Sequence, residues 1–112
     1  MANALFTAFA LIAAGQVATP PAPAEESYVP KVRSEGVAEW RADGERGLYL
    51  MSSAGRWYYA RTAGPCPRLD STMTLGFEAR GPDRLDRFGT VIAEGWRCQL
   101  ESVVESVPPP RD

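Results

Sequence analysis

Turn-forming residues recur about every ten positions through the middle of this chain, at Asp43-Gly44, Gly55, Gly64-Pro65, Gly81-Pro82 and Glu94-Gly95, a spacing that leaves room for short strands only. The intervening segments are rich in aromatic and branched residues, which suit a pleated, half-buried surface. The clearest strand runs from Trp96 to Val103, where Trp96, Cys98 and Leu100 alternate with Arg97, Gln99 and Glu101, a period of two that buries one face. Leu48 to Met51 and Trp57 to Thr62 flank a short connection and read as a hairpin. Leu48 and Leu50 are expected to face inward on its first arm, Trp57 and Tyr59 on its second, which leaves Tyr58 outward. Val37 to Ala42 and Phe88 to Ala93 supply two further strands. Leu69 to Phe77 is ambiguous: Asp70 or Ser71 could cap one short helical turn, whereas Thr72, Thr74 and Phe77 suit a strand. About five short strands must hide their edges, so the expected fold is all-β, a small antiparallel barrel or rolled sheet.

A domain of this size is marginal on burial alone, and a cross-link is worth having. Cys66 and Cys98 are the only cysteines. Their pairing closes a loop of about 33 residues, which contributes roughly 3–4 kcal/mol in the chain-entropy account. Cys66 lies in Gly64-Pro65-Cys66-Pro67, where prolines fix the backbone, so the bridge would pin that corner to the last strand. The competing readings are two free thiols, disfavoured because there is no C-x-x-C pair, and pairing between two chains.

The two ends differ from this middle. Leu5 to Ala14 is an apolar run of about ten residues, the length of a signal-peptide core and short of the roughly 20 needed to span a bilayer. The segment before it carries no Lys or Arg. Residues 1–24 therefore read as a signal peptide and the start of a Pro/Ala-rich linker, with cleavage after Gly15 or Ala24. Residues 25–35 continue that linker, 36–105 form the β domain, and 106–112, with Pro108-Pro109-Pro110, read as a disordered tail. The expected location is periplasmic or secreted, where a disulfide persists, with no transmembrane anchor.

An ordered series of short motifs spans Val37 to Val103: Trp40-Arg41-Ala42 with Asp43, Gly55-Arg56-Trp57-Tyr58, Gly64-Pro65-Cys66, Leu75-Gly76-Phe77, Asp86-Arg87-Phe88 and Arg97-Cys98. Together they resemble a family of small exported proteobacterial proteins described only as a domain of unknown function. The resemblance implies export and a compact disulfide-linked fold, and it carries no functional residues across. Members of that family often carry a further cysteine near the domain start. This chain lacks it, so a second bridge of that kind is not implied.

The chemistry is limited by what is missing. There is no histidine, which removes the usual activating base of Ser and Cys nucleophiles and the commonest metal ligand. Lys31, the only lysine, sits beside Pro30 in the expected linker, a poor place for a buried amine base. No nucleotide-binding or nucleophile-elbow motif is present, and no cofactor or metal is implied. Arg80, Arg84 and Arg87 would repel a cation from the Asp83-to-Arg87 acids. A carboxylate-dependent glycan-active enzyme stays open as an alternative, because it needs only two acids, and Asp43, Glu45, Asp70, Asp83, Asp86 and Glu94 all lie near turns.

Apart from Lys31 every basic side chain is an arginine, and several adjoin aromatics, as in Trp40-Arg41, Arg56-Trp57 and Arg87-Phe88. Arginine stacks on aromatic rings and forks onto carboxylate or phosphate. A net charge of −2 argues against nucleic acid. The reading that follows is an exported, non-catalytic accessory or binding domain that contacts an envelope component or partner protein through an arginine and aromatic surface. Tyr58, Arg56 and Arg61 are the candidate binding residues. A purely structural or stress-related domain is the remaining alternative.

Overall fold

The structure is a computed structural model that describes residues 25–111. The expected leader and both expected cleavage positions lie outside the described residues. Among the described residues there are eight strands: β1 Val29–Pro30, β2 Val37–Asp43, β3 Gly47–Ser52, β4 Trp57–Thr62, β5 Leu75–Glu78, β6 Arg84–Leu85, β7 Thr90–Ala93 and β8 Trp96–Glu105. Six of them form one antiparallel sheet in the order β2-β3-β4-β8-β7-β5, and β1 pairs with β6 in a separate two-stranded ribbon. The sheet rolls into a half-barrel, and no helix occurs among the described residues. The one-turn feature expected between Leu69 and Phe77 is a single loop of backbone, in which Thr72 donates to the Arg68 carbonyl at 2.9 Å. β5 follows it directly.

β8 is the spine of the roll. Its first half pairs with β7, through Thr90↔Gln99 to Ala93↔Trp96, and its second half with β4, through Tyr58↔Glu105 to Thr62↔Leu100. The register slips between Arg61↔Ser102 and Thr62↔Leu100, which leaves Glu101 as the extra residue of a bulge. A bulge bends its strand and resets which side chains face in. Cys98 and Leu100 are buried before it, and Val103 after it.

The core lies on the concave side: Leu48, Leu50, Ala60, Val91, Ala93, Leu100 and Val103, joined by Val29, Leu69 and Leu85. Cys66 and Cys98 form an intrachain disulfide with 5.7 Å between their α-carbons. It fastens the corner after β4 to β8, as the spacing of prolines and cysteines predicted.

Four expectations change. Tyr58, not Trp57 or Tyr59, faces the core and is only 4% exposed. The register explains this, since Leu50 pairs with Tyr58 and Leu48 with Ala60, and antiparallel partners project to the same face. Trp96, expected inward, is 55% exposed. It shares the parity of Cys98 but stands at the Glu94-Gly95 turn, past the rim of the core. Periodicity assigns a side, not a depth.

Residues 25–35 are packed rather than linker-like. Val29 is fully buried and opposes Leu85 across the ribbon, and Glu26 bridges to Val104. Pro30 is tolerated because a two-residue edge strand can omit its N–H. The tail is likewise tied down: Ser106 donates its amide to the Trp57 carbonyl at 3.0 Å, and Arg41 Nη1 donates to the Pro110 carbonyl at 2.9 Å.

Candidate functional site

The convex face of the sheet gathers the arginine and aromatic side chains. Three cross-strand rows build it: Glu39↔Met51↔Trp57, Arg41↔Tyr49↔Tyr59↔Val104, and Asp43↔Gly47↔Arg61↔Ser102. Tyr49, Met51, Trp57 and Tyr59 are half-buried there. The Tyr49 and Tyr59 rings meet edge to face, with centroids 5.0 Å apart, an arrangement favoured by the ring quadrupole. The Tyr59 hydroxyl crosses Gly47 to donate to Asp43 Oδ2 at 2.9 Å. A β-carbon at residue 47 would overlap that hydroxyl, so glycine there is a requirement of the ring's path. Burial first, then the hydrogen bond to Asp43, push the Tyr59 hydroxyl up to about 12.

Of the three residues singled out by sequence, Arg61 stands on this face. Its Nε lies 3.2 Å from Glu101 Oε2, the carboxylate of the bulge residue, which also faces Arg46 at 3.6 Å. Arg56 lies at the rim, 3.4 Å from Glu105. Both pairs are half exposed, so each contributes little to stability. Tyr58 is a core residue, and burial raises its hydroxyl above the ordinary range. It cannot serve as a contact surface. Trp57, Tyr59, Tyr49, Arg41 and Met51 belong to the site instead. Only the β2–β3 and β3–β4 registers reveal them, because three consecutive aromatics carry no period.

A second arginine and aromatic cluster surrounds the β6–β7 connection. Arg80, Gly81, Arg84, Asp86, Phe88 and Gln99 line a cleft of about 430 Å³. Arg84 stacks over Tyr28 at 5.0 Å and Arg87 over Phe88 at 4.8 Å. Asp86 accepts the Phe88 amide at 3.0 Å, which holds the loop closed. Among the described residues Arg80, Arg84 and Arg87 form no ion pair.

The six turn acids are spread over five connections. Asp43 accepts from Tyr59 and Glu94 pairs with Arg68. Asp83 binds the amides of Arg33 and Ser34 and the Ser34 hydroxyl, which lowers its carboxyl below the usual carboxylate range. These commitments are structural and give the paired-acid alternative no support. Among the described residues no group of three or more metal-ligating side chains comes together, and no helix is long and apolar enough to cross a membrane.

A family model described as Family of unknown function (DUF6491) covers residues 1–107. No curated protein and no solved structure matches.

Proposed function

Because the chain belongs to DUF6491, a family whose description carries no activity, we propose its function from geometry: an exported, non-catalytic binding domain that seats a partner protein on the convex face. One observation carries the reading. A sheet whose concave side is closed by its own core turns Trp57, Tyr59, Tyr49 and Met51, bordered by Arg41 and Arg61, toward the outside. Aromatic residues and arginine are the side chains that dominate binding energy at protein interfaces. Export is supported by the apolar leader and by the disulfide, which persists in oxidising compartments.

Two measurements test this. Full-length protein recovered from the producing cell, alkylated without reduction and weighed intact, should lack the leader and carry no alkylated thiol. An intact leader with two alkylated cysteines ends the export reading. Trp57→Ala with Arg61→Ala should abolish retention in an envelope fraction while shifting the melting temperature little. Undiminished retention by that folded variant ends the convex-face reading.

A second reading follows from the unpaired arginines of the β6–β7 cleft, which suit a carboxylate or phosphate group of an envelope component. Arg80→Ala with Arg84→Ala would then remove retention in place of the convex-face pair.

A further inference from the structure

The convex face already carries a peptide. Past β8 the chain cannot extend the sheet, because Pro108, Pro109 and Pro110 have no N–H to give to a neighbouring strand. The Ser106 amide makes the last such bond, to the Trp57 carbonyl. Four residues later the Pro110 carbonyl accepts from Arg41 on β2. β8 and β2 are three strand spacings apart, about 14 Å. A proline-rich segment advances ~3.1 Å per residue, so residues 107–110 span most of that width and the long Arg41 side chain covers the rest. The segment therefore crosses the strands at the level of Trp57, Met51 and Tyr49. Val107 points away, 74% exposed, while Pro109 is half-buried.

The Arg41 contact uses a feature that any polyproline segment has, a backbone carbonyl that accepts from a fixed donor, and proline ring faces suit an aromatic surface. Such a segment is also pre-ordered, so docking it costs little conformational entropy. We propose that the convex face is a docking site for an extended proline-rich segment of a partner protein, and that residues 107–110 occupy it in cis as a stand-in. The proposal rests on the convex-face reading and names its partner class. A tethered stand-in acts at millimolar effective concentration, so it lowers the apparent affinity of the face for a segment arriving in trans.

The test titrates the synthetic peptide Val-Pro-Pro-Pro-Arg-Asp, a copy of residues 107–112, into isotope-labelled full-length protein. Two proteins are compared: the natural chain and a full-length variant with Pro108→Ala, Pro109→Ala and Pro110→Ala, whose fold is checked by its melting curve. The readouts are the Trp57 indole and the Tyr49 and Tyr59 ring resonances. Saturable shifts at those residues are expected, with apparent affinity on the order of tenfold tighter in the variant. Adding Arg41→Ala to the variant should weaken binding again. No saturable shift in the folded variant, equal affinity in the two proteins, or shifts confined to Tyr28 and Phe88 would each overturn the proposal. If envelope retention still depends on Trp57 and Arg61 when the peptide fails to bind, the partner-binding reading stands and only the proline-rich class is lost. If both fail, both are wrong.

Discussion

The two faces of β4 differ more than their sequence suggests. Toward the core it sends Tyr58, Ala60 and Thr62, all buried, and toward the outside Trp57, Tyr59 and Arg61. The concave side of a tight roll has little volume, and it takes small residues where strands crowd: Ala60 opposite Leu48 and Val103, Ala93 opposite Trp96 at the rim. The convex side carries Tyr49, Met51, Trp57 and Tyr59, all half-buried. Tyr58 is the one ring that β4 sends inward, and Trp57 and Tyr59 are left on the outer face. The polar chemistry divides the same way. Inside, Thr62 satisfies its hydroxyl on the Gly64 carbonyl at 2.6 Å, and among the described residues no buried side-chain polar atom lacks a partner. Outside, charges sit in half-exposed pairs that can exchange partners.

The difference should be largest where the inner face is covalently closed. Replacing both cysteines, Cys66→Ser with Cys98→Ser, is expected to cost about 3–4 kcal/mol, read as a shift of the urea midpoint. A loss under about 1 kcal/mol would mean that the corner is held by packing alone. Next in size is overfilling. Ala60→Leu should cost about 1–3 kcal/mol, whereas Trp57→Ala on the opposite side of the same strand should cost less than about 1 kcal/mol. Equal losses would break the comparison.

Smaller effects sharpen it. Gly47→Ala forces the Tyr59 ring off Asp43 and should cost about 1 kcal/mol, close to the effect of Tyr59→Phe. Because both changes remove the same contact, the double variant should fall short of their sum. The raised Tyr59 hydroxyl also has a pH signature. The unfolded chain releases that proton near the ordinary value of 10.0, while the folded protein holds it to about 12, so this stabilisation is complete below pH 10 and is lost as pH rises toward 12. Tyr59→Phe should flatten that part of the alkaline unfolding curve. The smallest expected effect lies at the β1–β6 ribbon. Asp83 is depressed by its Ser34 and Arg33 contacts, so its contribution is present above the ordinary carboxylate range and fades as pH falls through the lowered value. Faster exchange of the Arg33 and Ser34 amides in Asp83→Asn, with global unfolding unmoved, is the result that fits.

How much of this could be read from residues alone differs by element. Five strands, β2, β3, β4, β7 and β8, announce themselves through turns and alternation, and Leu48, Leu50, Cys98 and Leu100 fall on the expected side. β1, β5 and β6 do not announce themselves. Val29–Pro30 and Arg84–Leu85 are two residues each, too short for any period, and their pairing spans more than fifty positions of sequence. In Trp57-Tyr58-Tyr59 hydrophobicity is uniform, and the side facing the core follows from which residue of β3 each one meets. The outer site was missed for the same reason: Arg41, Tyr49 and Tyr59 come from three strands and share only a row.

Composition and spacing by themselves determined the all-β class, the strand-bearing segments and which two cysteines could join, because these depend on local turn geometry and on a choice with one solution. The face each aromatic presents, the pairing of Val29 with Leu85, and the bulge at Glu101 were decided only in three dimensions. Each of those depends on register, and register is a relation between strands that no single stretch of chain contains.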